Sequence, residues 1–260
     1  MKTAIISLSN EGARLARVLA DRLPESHIYL HRAVTELPEA ERFQRIMDLA
    51  RDLFPACKGL IFIAPCGLVV RAIAPHIRHK TTDPAVVVVD VGGRWAVSLL
   101  GGHEGGANEL AMTVANILGA EPVISTTTEA VKRIIVGVGC RRGTTAERIV
   151  EAIRGALEKA GVTLEEVRLV ASADLKADEA GLLDAARQLG VPLRLVSSDE
   201  IRESGRAFAR SEFVQRKVNL PAVAEPAALL AGRRTRLLLP KQTFKGVTVA
   251  LAAENCTSLG

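Results

Sequence analysis

Six-residue, largely apolar runs recur along this chain, each followed by Ser, Pro or Gly and then by a stretch with different periodicity. Thr3–Leu8, Gly59–Ala64, Val86–Val91 and Arg133–Val138 are such runs, too short for helices, and they read as buried strands. Ile28–Leu30 is a shorter one, and Arg94–Leu100 follows a Gly92-Gly93 turn. Between them, Glu11–Leu23 repeats Ala13, Leu15, Ala16, Leu19 and Ala20 at helical spacing, is capped by Ser9-Asn10 and stops at Pro24. The spacing of Phe43, Ile46, Met47, Leu49, Ala50 and Leu53 predicts one helix over Pro38–Phe54, and Gly105–Leu118 predicts another, closed by Gly119. Strands alternating with helices require crossover connections, so the expected fold is α/β with mostly parallel sheets.

The pattern restarts after residue 131. Thr144–Ala160 reads as a helix with Thr144 as N-cap and Glu147 completing a capping box. Val167–Ala171 and Leu193–Val196 are strands, Asp178–Leu189 is a helix, Ser198 caps a short one, and Ala222–Ala231 is another. Arg236–Leu239 and Gly246–Ala252 end the chain as strands. Two α/β domains are therefore expected, 1–131 and 132–260, joined by the linker Ser125–Lys132, with their glycine-rich strand-to-helix turns facing a cleft.

Composition narrows the function classes. No uncharged apolar run approaches the ~18–20 residues of a membrane span, and the start lacks a signal-peptide core; a cytoplasmic protein with no membrane partner is expected. The four cysteines form no CxxC pair and no zinc spacing. The basic excess sits in the last sixty residues, 10 Lys and Arg against 4 Asp and Glu, which points to an anionic partner. Aromatics are 3% of the chain, too few for a single-strand stacking platform, and no nucleic-acid motif is present, so a small polyanion is expected rather than nucleic acid.

Four segments carry chemistry. In Leu99–Asn108 four glycines, Gly101, Gly102, Gly105 and Gly106, surround His103 and Glu104 between a strand and a helix. Their amides and the helix dipole suit an anion, His103 or a buried Glu104 with a raised pKa suits a general base, and Asn108 faces the same mouth. In Pro65–Pro84, Arg71 lies on an apolar helix facing the sheet's carboxyl edge, placed to clamp a carboxylate, with Lys80 beyond it. Gly137–Thr144 is a strand–turn–helix in which Arg141, Arg142 and Gly143 suit an anion. Cys140 there is either a packing residue or a nucleophile whose pKa the helix lowers. The fourth segment joins Glu225 to Lys241 and Lys245.

GLVVRAIAPHIRHKTTDPAVVVVD, SLLGGHEGGANELA, GAEPVISTTTE, VGVGCRRGT and AEPAALLA with KQTFKGVTVALA together resemble the cobalt-precorrin-5A hydrolase family (CbiG) of anaerobic cobalamin biosynthesis. The C-terminal part also resembles CobE of the aerobic pathway. Longer family members carry a middle segment that is missing here, where Ser125–Glu129 runs almost directly into VGVGC. The resemblance implies a cobalt-bearing, polycarboxylate tetrapyrrole substrate, whose ring-A δ-lactone is opened with water and whose methylated meso carbon leaves as acetaldehyde. Cobalt then arrives with the substrate, and the protein needs no metal site or cofactor of its own. His103 and Glu104 become the catalytic candidates. The substrate-binding candidates are Arg71, Lys80, Gly101, Gly102, Gly105, Gly106, Asn108, Thr126, Thr127, Cys140, Arg141, Arg142, Gly143, Glu225, Lys241 and Lys245. Neighbouring pathway enzymes are the implied protein partners. The alternative is a non-catalytic corrinoid carrier of the same pathway. A Rossmann oxidoreductase is disfavoured because SLSNEGA stands where GxGxxG would be.

Overall fold

Strand β1 (Thr3–Ser7) is buried at all five positions and pairs in parallel with β2 (Ser26–His31) on one side and β4 (Gly59–Ile63) on the other. A strand covered on both faces can be apolar throughout, which is why Ala4, Ile5 and Ile6 follow one another here. In this computed structural model, which describes residues 2–204 and 222–256, the chain divides into two units, Met1–Thr126 and Thr127–Gly260.

The first unit holds a seven-stranded sheet in the order β3-β2-β1-β4-β5-β6-β7, with β3 at Glu41–Phe43, β5 at Ala85–Val89, β6 at Trp95–Leu100 and β7 at Glu121–Val123. Strands β1 to β5 are mutually parallel, whereas β6 runs antiparallel to β5 and carries β7 parallel to itself. Helices α1 (Asn10–Ala20) and α4 (Ala107–Leu118) cover one face, and α2 (Ile46–Leu53) and α3 (Cys66–Ile73) cover the other. Ser9 caps α1 by accepting Gly12 N–H, and Ala13, Ala16 and Leu19 turn inward. Leu19 alone, fully buried, contributes about 1.5–3 kcal/mol.

The expected helix over Pro38–Phe54 is shorter and begins at Ile46. Residues 41–43 instead extend the sheet beside β2, with Phe43 buried. Arg42 holds this conformation by donating to the carbonyls of Val34, Glu36 and Leu37. Sheet pairing outweighs the local helical spacing there.

The second unit holds a five-stranded sheet in the order β10-β9-β8-β12-β11. Its strands are β8 (Ile134–Gly139), β9 (Val167–Ala173), β10 (Leu193–Val196), β11 (Thr235–Phe244) and β12 (Val247–Glu254). β8, β9 and β10 are parallel; the hairpin β11–β12 joins antiparallel through β12. Thr127–Ala130 forms a short helix, α5, inside the stretch expected to be linker. Helices α6 (Ala146–Ala160) and α7 (Ala180–Leu189) pack on Ile134, Val136 and Val138. Their neighbours α8 (Ser198–Glu203) and α9 (Ala224–Leu230) follow β10, and α9 lies on β8 from the other face. That approach requires glycine: a Cβ on Gly137 would stand 1.9 Å from the Ala224 carbonyl oxygen.

Two caps differ from expectation by one residue. The N-cap of α6 is Thr145, and its side chain makes no cap bond; Thr144 Oγ1 donates to the Arg141 carbonyl inside the turn. Ser197, not Ser198, caps α8, accepting Asp199 and Glu200 N–H. Shifts of one residue are the ordinary uncertainty of helix ends read from spacing.

Candidate functional site

In the first unit the reversal of β6 decides which loops meet. Leu100 at its end pairs with Val86 at the start of β5. The glycine-rich loop 101–106 therefore lies at the amino edge of the parallel strands, beside the loop 77–84 that leads into β5. Buried Asp83 stiffens this second loop by accepting Arg78 N–H at 3.1 and 3.0 Å. The His79 carbonyl accepts Thr82 and Asp83 N–H at 3.0 and 2.9 Å. Gly101 fits the junction at φ +74, where a Cβ would also stand 2.9 Å from the Pro84 carbonyl oxygen.

Lys80 Nζ and Glu104 Oε1 join the two loops at 2.7 Å, with both side chains exposed. The expectation of a buried Glu104 with a raised pKa is corrected. The hydrogen bond from Lys80 holds its carboxyl below the usual range, and the ammonium is correspondingly raised. Exposed His103 makes no hydrogen bond among the described residues, so its ring is available to a ligand.

The Asn108 amide is tied to its own unit from both ends. Its Oδ1 accepts from Ser98 at 2.8 Å and its Nδ2 donates to Thr126 at 2.9 Å. Sequence reasoning gave Ser98 no role; its signal is a polar residue within an apolar strand. Thr126 is thereby drawn against the loop, where its methyl would collide with a Cβ on Gly102. Thr127 starts the second unit. The N–H groups of Ala107 and Asn108, at the start of α4, already bond to the Gly101 and Gly102 carbonyls at 3.0 and 2.9 Å. An anion at this helix end is left with the loop amides and Glu109 N–H.

Arg71 is exposed in the last turn of α3, away from the carboxyl edge where that helix begins. Arg71 makes no ion pair among the described residues.

In the second unit the turn after β8, the start of α9 and the β11–β12 hairpin come together. Thr248 Oγ1 donates to the Gly139 carbonyl at 2.9 Å, and a Cβ on Gly139 would stand 3.4 Å from Val223 Cβ. The nucleophilic reading of Cys140 is corrected: burial pushes its thiol up, outweighing the nearby Lys176, and the side chain packs on the core. Gly143 N–H donates to buried Glu179 at 2.8 Å. Buried Glu225 accepts Lys241 N–H at 2.8 Å.

Arg142 pairs with Asp178 at 2.8 Å and Lys245 with Glu151 at 3.0 Å, all four exposed, and Arg141 is exposed as well. A cavity of about 500 Å³ opens between the start of α6 and the length of α7, lined by Thr144, Thr145, Glu147, Arg187 and Gln188 among others. Part of the C-terminal basic excess, residues 205–221, lies outside the described residues. Among the described residues no cluster of three His, Cys, Asp or Glu is arranged to hold a metal, and no helix is long and apolar enough to cross a membrane.

A doubly wound α/β unit with a histidine-bearing glycine loop at its amino edge, followed by a mixed α/β unit with a terminal hairpin, defines a two-domain α/β class. Residues 48–129 match the family model described as cobalamin synthesis G N-terminal, and residues 134–252 match that described as cobalamin synthesis G C-terminus. The chain belongs to the cobalamin synthesis G family.

It is 26% identical over 352 positions to the cobalt-precorrin-5A hydrolase of Priestia megaterium, covering 96% of this chain and 94% of the relative. Against the enzyme of the same name from Salmonella typhimurium strain LT2 the identity is 27% over 342 positions, covering 95% and 96%. Protein CobE of Sinorhizobium sp is 38% identical over 128 residues, 48% of this chain and 83% of that one. An alignment of 352 positions to a 260-residue chain means that the Priestia relative carries about 100 residues missing here.

Proposed function

We propose that this chain is a cobalt-precorrin-5A hydrolase, opening the ring-A δ-lactone of its substrate with release of acetaldehyde to give cobalt-precorrin-5B. The observation that carries this reading is the exposed, unbonded His103 next to Glu104, the carboxylate that pairs with Lys80, in a chain aligned over nearly its whole length with enzymes of that name.

In this reading the His103 ring takes a proton from water as the water oxygen attacks the lactone carbonyl. The amides of loop 101–106 other than that of Glu104, which its own carboxylate takes up, face the oxyanion. When the ring ester bond breaks, the proton passes to the departing alkoxide, leaving a carboxylic acid and a hydroxyl. Cobalt belongs to the substrate, so the reading calls for no cofactor of the protein's own. Its setting is the cytoplasm, with neighbouring enzymes of the pathway as partners that supply and receive the corrinoid.

The test is anaerobic incubation with the lactone intermediate and trapping of acetaldehyde. His103→Ala is expected to fold and to bind corrinoid, and to lose turnover by about 10²–10⁴-fold. Wild-type protein that binds the corrinoid without releasing acetaldehyde would make it a carrier. Full turnover by His103→Ala would remove the histidine from the chemistry.

A further inference from the structure

We infer that Glu104 is the resident counter-ion of a substrate-carboxylate site at Lys80, displaced when the corrinoid binds, and is not the base that activates water. The inference rests on the proposed reading for the identity of the substrate and deepens it by assigning one of its contacts.

The geometry separates the two partners. Lys80 stands on a loop fixed from within by buried Asp83 and by the bonds to the His79 carbonyl, so the backbone that carries it does not depend on Glu104. Glu104 reaches it from the neighbouring loop at 2.7 Å, and the two side chains retain 40% and 69% of their accessible surface, Glu104 the lesser. Such a pair forms in solvent and separates readily.

No other hydrogen bond or ion pair engages Lys80 among the described residues, so removing Glu104 leaves three N–H donors for an incoming carboxylate. The lysine also keeps Glu104 ionised, which makes that carboxylate a poor proton acceptor and a close chemical copy of a substrate acetate or propionate. Lys2 and Lys58 lie at the same edge, where Lys58 N–H bonds to the Lys2 carbonyl. Their side chains and that of Arg71 have no ion pair among the described residues. A ligand bearing several carboxylates therefore gains further cations once one carboxylate has replaced Glu104.

The test measures binding of a cobalt corrinoid heptacarboxylic acid, and of its heptamethyl ester, to wild-type protein and variants. Glu104→Gln keeps the shape and removes the competing charge. It is expected to bind the acid about two- to five-fold more tightly, with the same gain appearing in KM, and to leave ester binding as in the wild type. Lys80→Ala is expected to bind the acid more weakly, and adding Glu104→Gln to it is expected to bring no further gain.

Equal affinity of wild type and Glu104→Gln for the acid would overturn the inference, as would an equal gain for the ester. A hundred-fold loss of turnover in Glu104→Gln with binding intact would make Glu104 the base and overturn it too. Wild-type protein that bound neither corrinoid and released no acetaldehyde would overturn the reading and the inference together. Wild-type protein that turned over normally while Glu104→Gln showed no gain would overturn only the inference.

Discussion

Cys140 and Cys66 show what a residue's neighbours add to its identity. Both lie at a strand-to-helix junction, Cys66 as the first residue of α3 and Cys140 in the turn before α6, yet Cys66 is exposed while Cys140 is pushed toward the neutral thiol by burial. The thiolate is the reactive form, so iodoacetamide at pH 7 is expected to label Cys66 well before Cys140 or buried Cys57, as peptide mapping over time would show. Labelling of Cys140 first would contradict the packing seen here. The same gap between type and setting governs Glu104. Its place inside the glycine loop was legible, because four glycines around two titratable residues mark a strand-to-helix turn. Its partner Lys80, 24 positions earlier, was not, because only the reversal of β6 brings the two together. The Ser98 and Thr126 partners of the Asn108 amide were likewise not legible, because ten and eighteen positions separate them from it.

Among the elements, the buried strands β1, β4, β5 and β8 were legible because continuous apolar runs of that length have few alternatives. Short edge elements were not. β3 and β7 are three residues each, and pairing rather than composition makes them strands. The turn between β5 and β6 was legible from its glycines, but its keystone is Asp90, whose carboxylate accepts N–H from Gly92, Arg94 and Trp95 and from the Arg94 side chain. Burial alone would raise the Asp90 carboxyl; these bonds outweigh it and hold the carboxyl below the usual range. A carboxyl whose folded pKa is lowered stabilises the fold above its unfolded value and loses that contribution as pH falls through the folded one. Asp90→Asn is therefore expected to be less stable than wild type at pH 7, with the gap narrowing toward about pH 3. Urea unfolding at both values would show it. A gap that widened in acid would mean that the carboxylate does not stabilise this turn.

For the whole molecule, each unit carries its own core: the cluster around Ile149, Ile153, Val136 and Leu251 draws only on the second unit, and those around Ile5, Ile61 and Phe62 only on the first. Residues 127–260 are accordingly expected to give a cooperative thermal transition by circular dichroism when expressed alone; a gradual melt would show that this core is insufficient. Two α/β units were legible from the restart of the strand–helix pattern, since periodicity reports each core separately. The direction of β6 was not, because an apolar run has the same composition whichever way it is laid in the sheet. That direction has a practical consequence. The hairpin tip at Gly92-Gly93 and the exposed thiol of Cys66 share the rim opposite the glycine loop, one strand length away, about 17 Å. A fluorophore on that thiol or a surface tether at that tip handles the first unit from behind, away from the loops that carry His103 and Lys80.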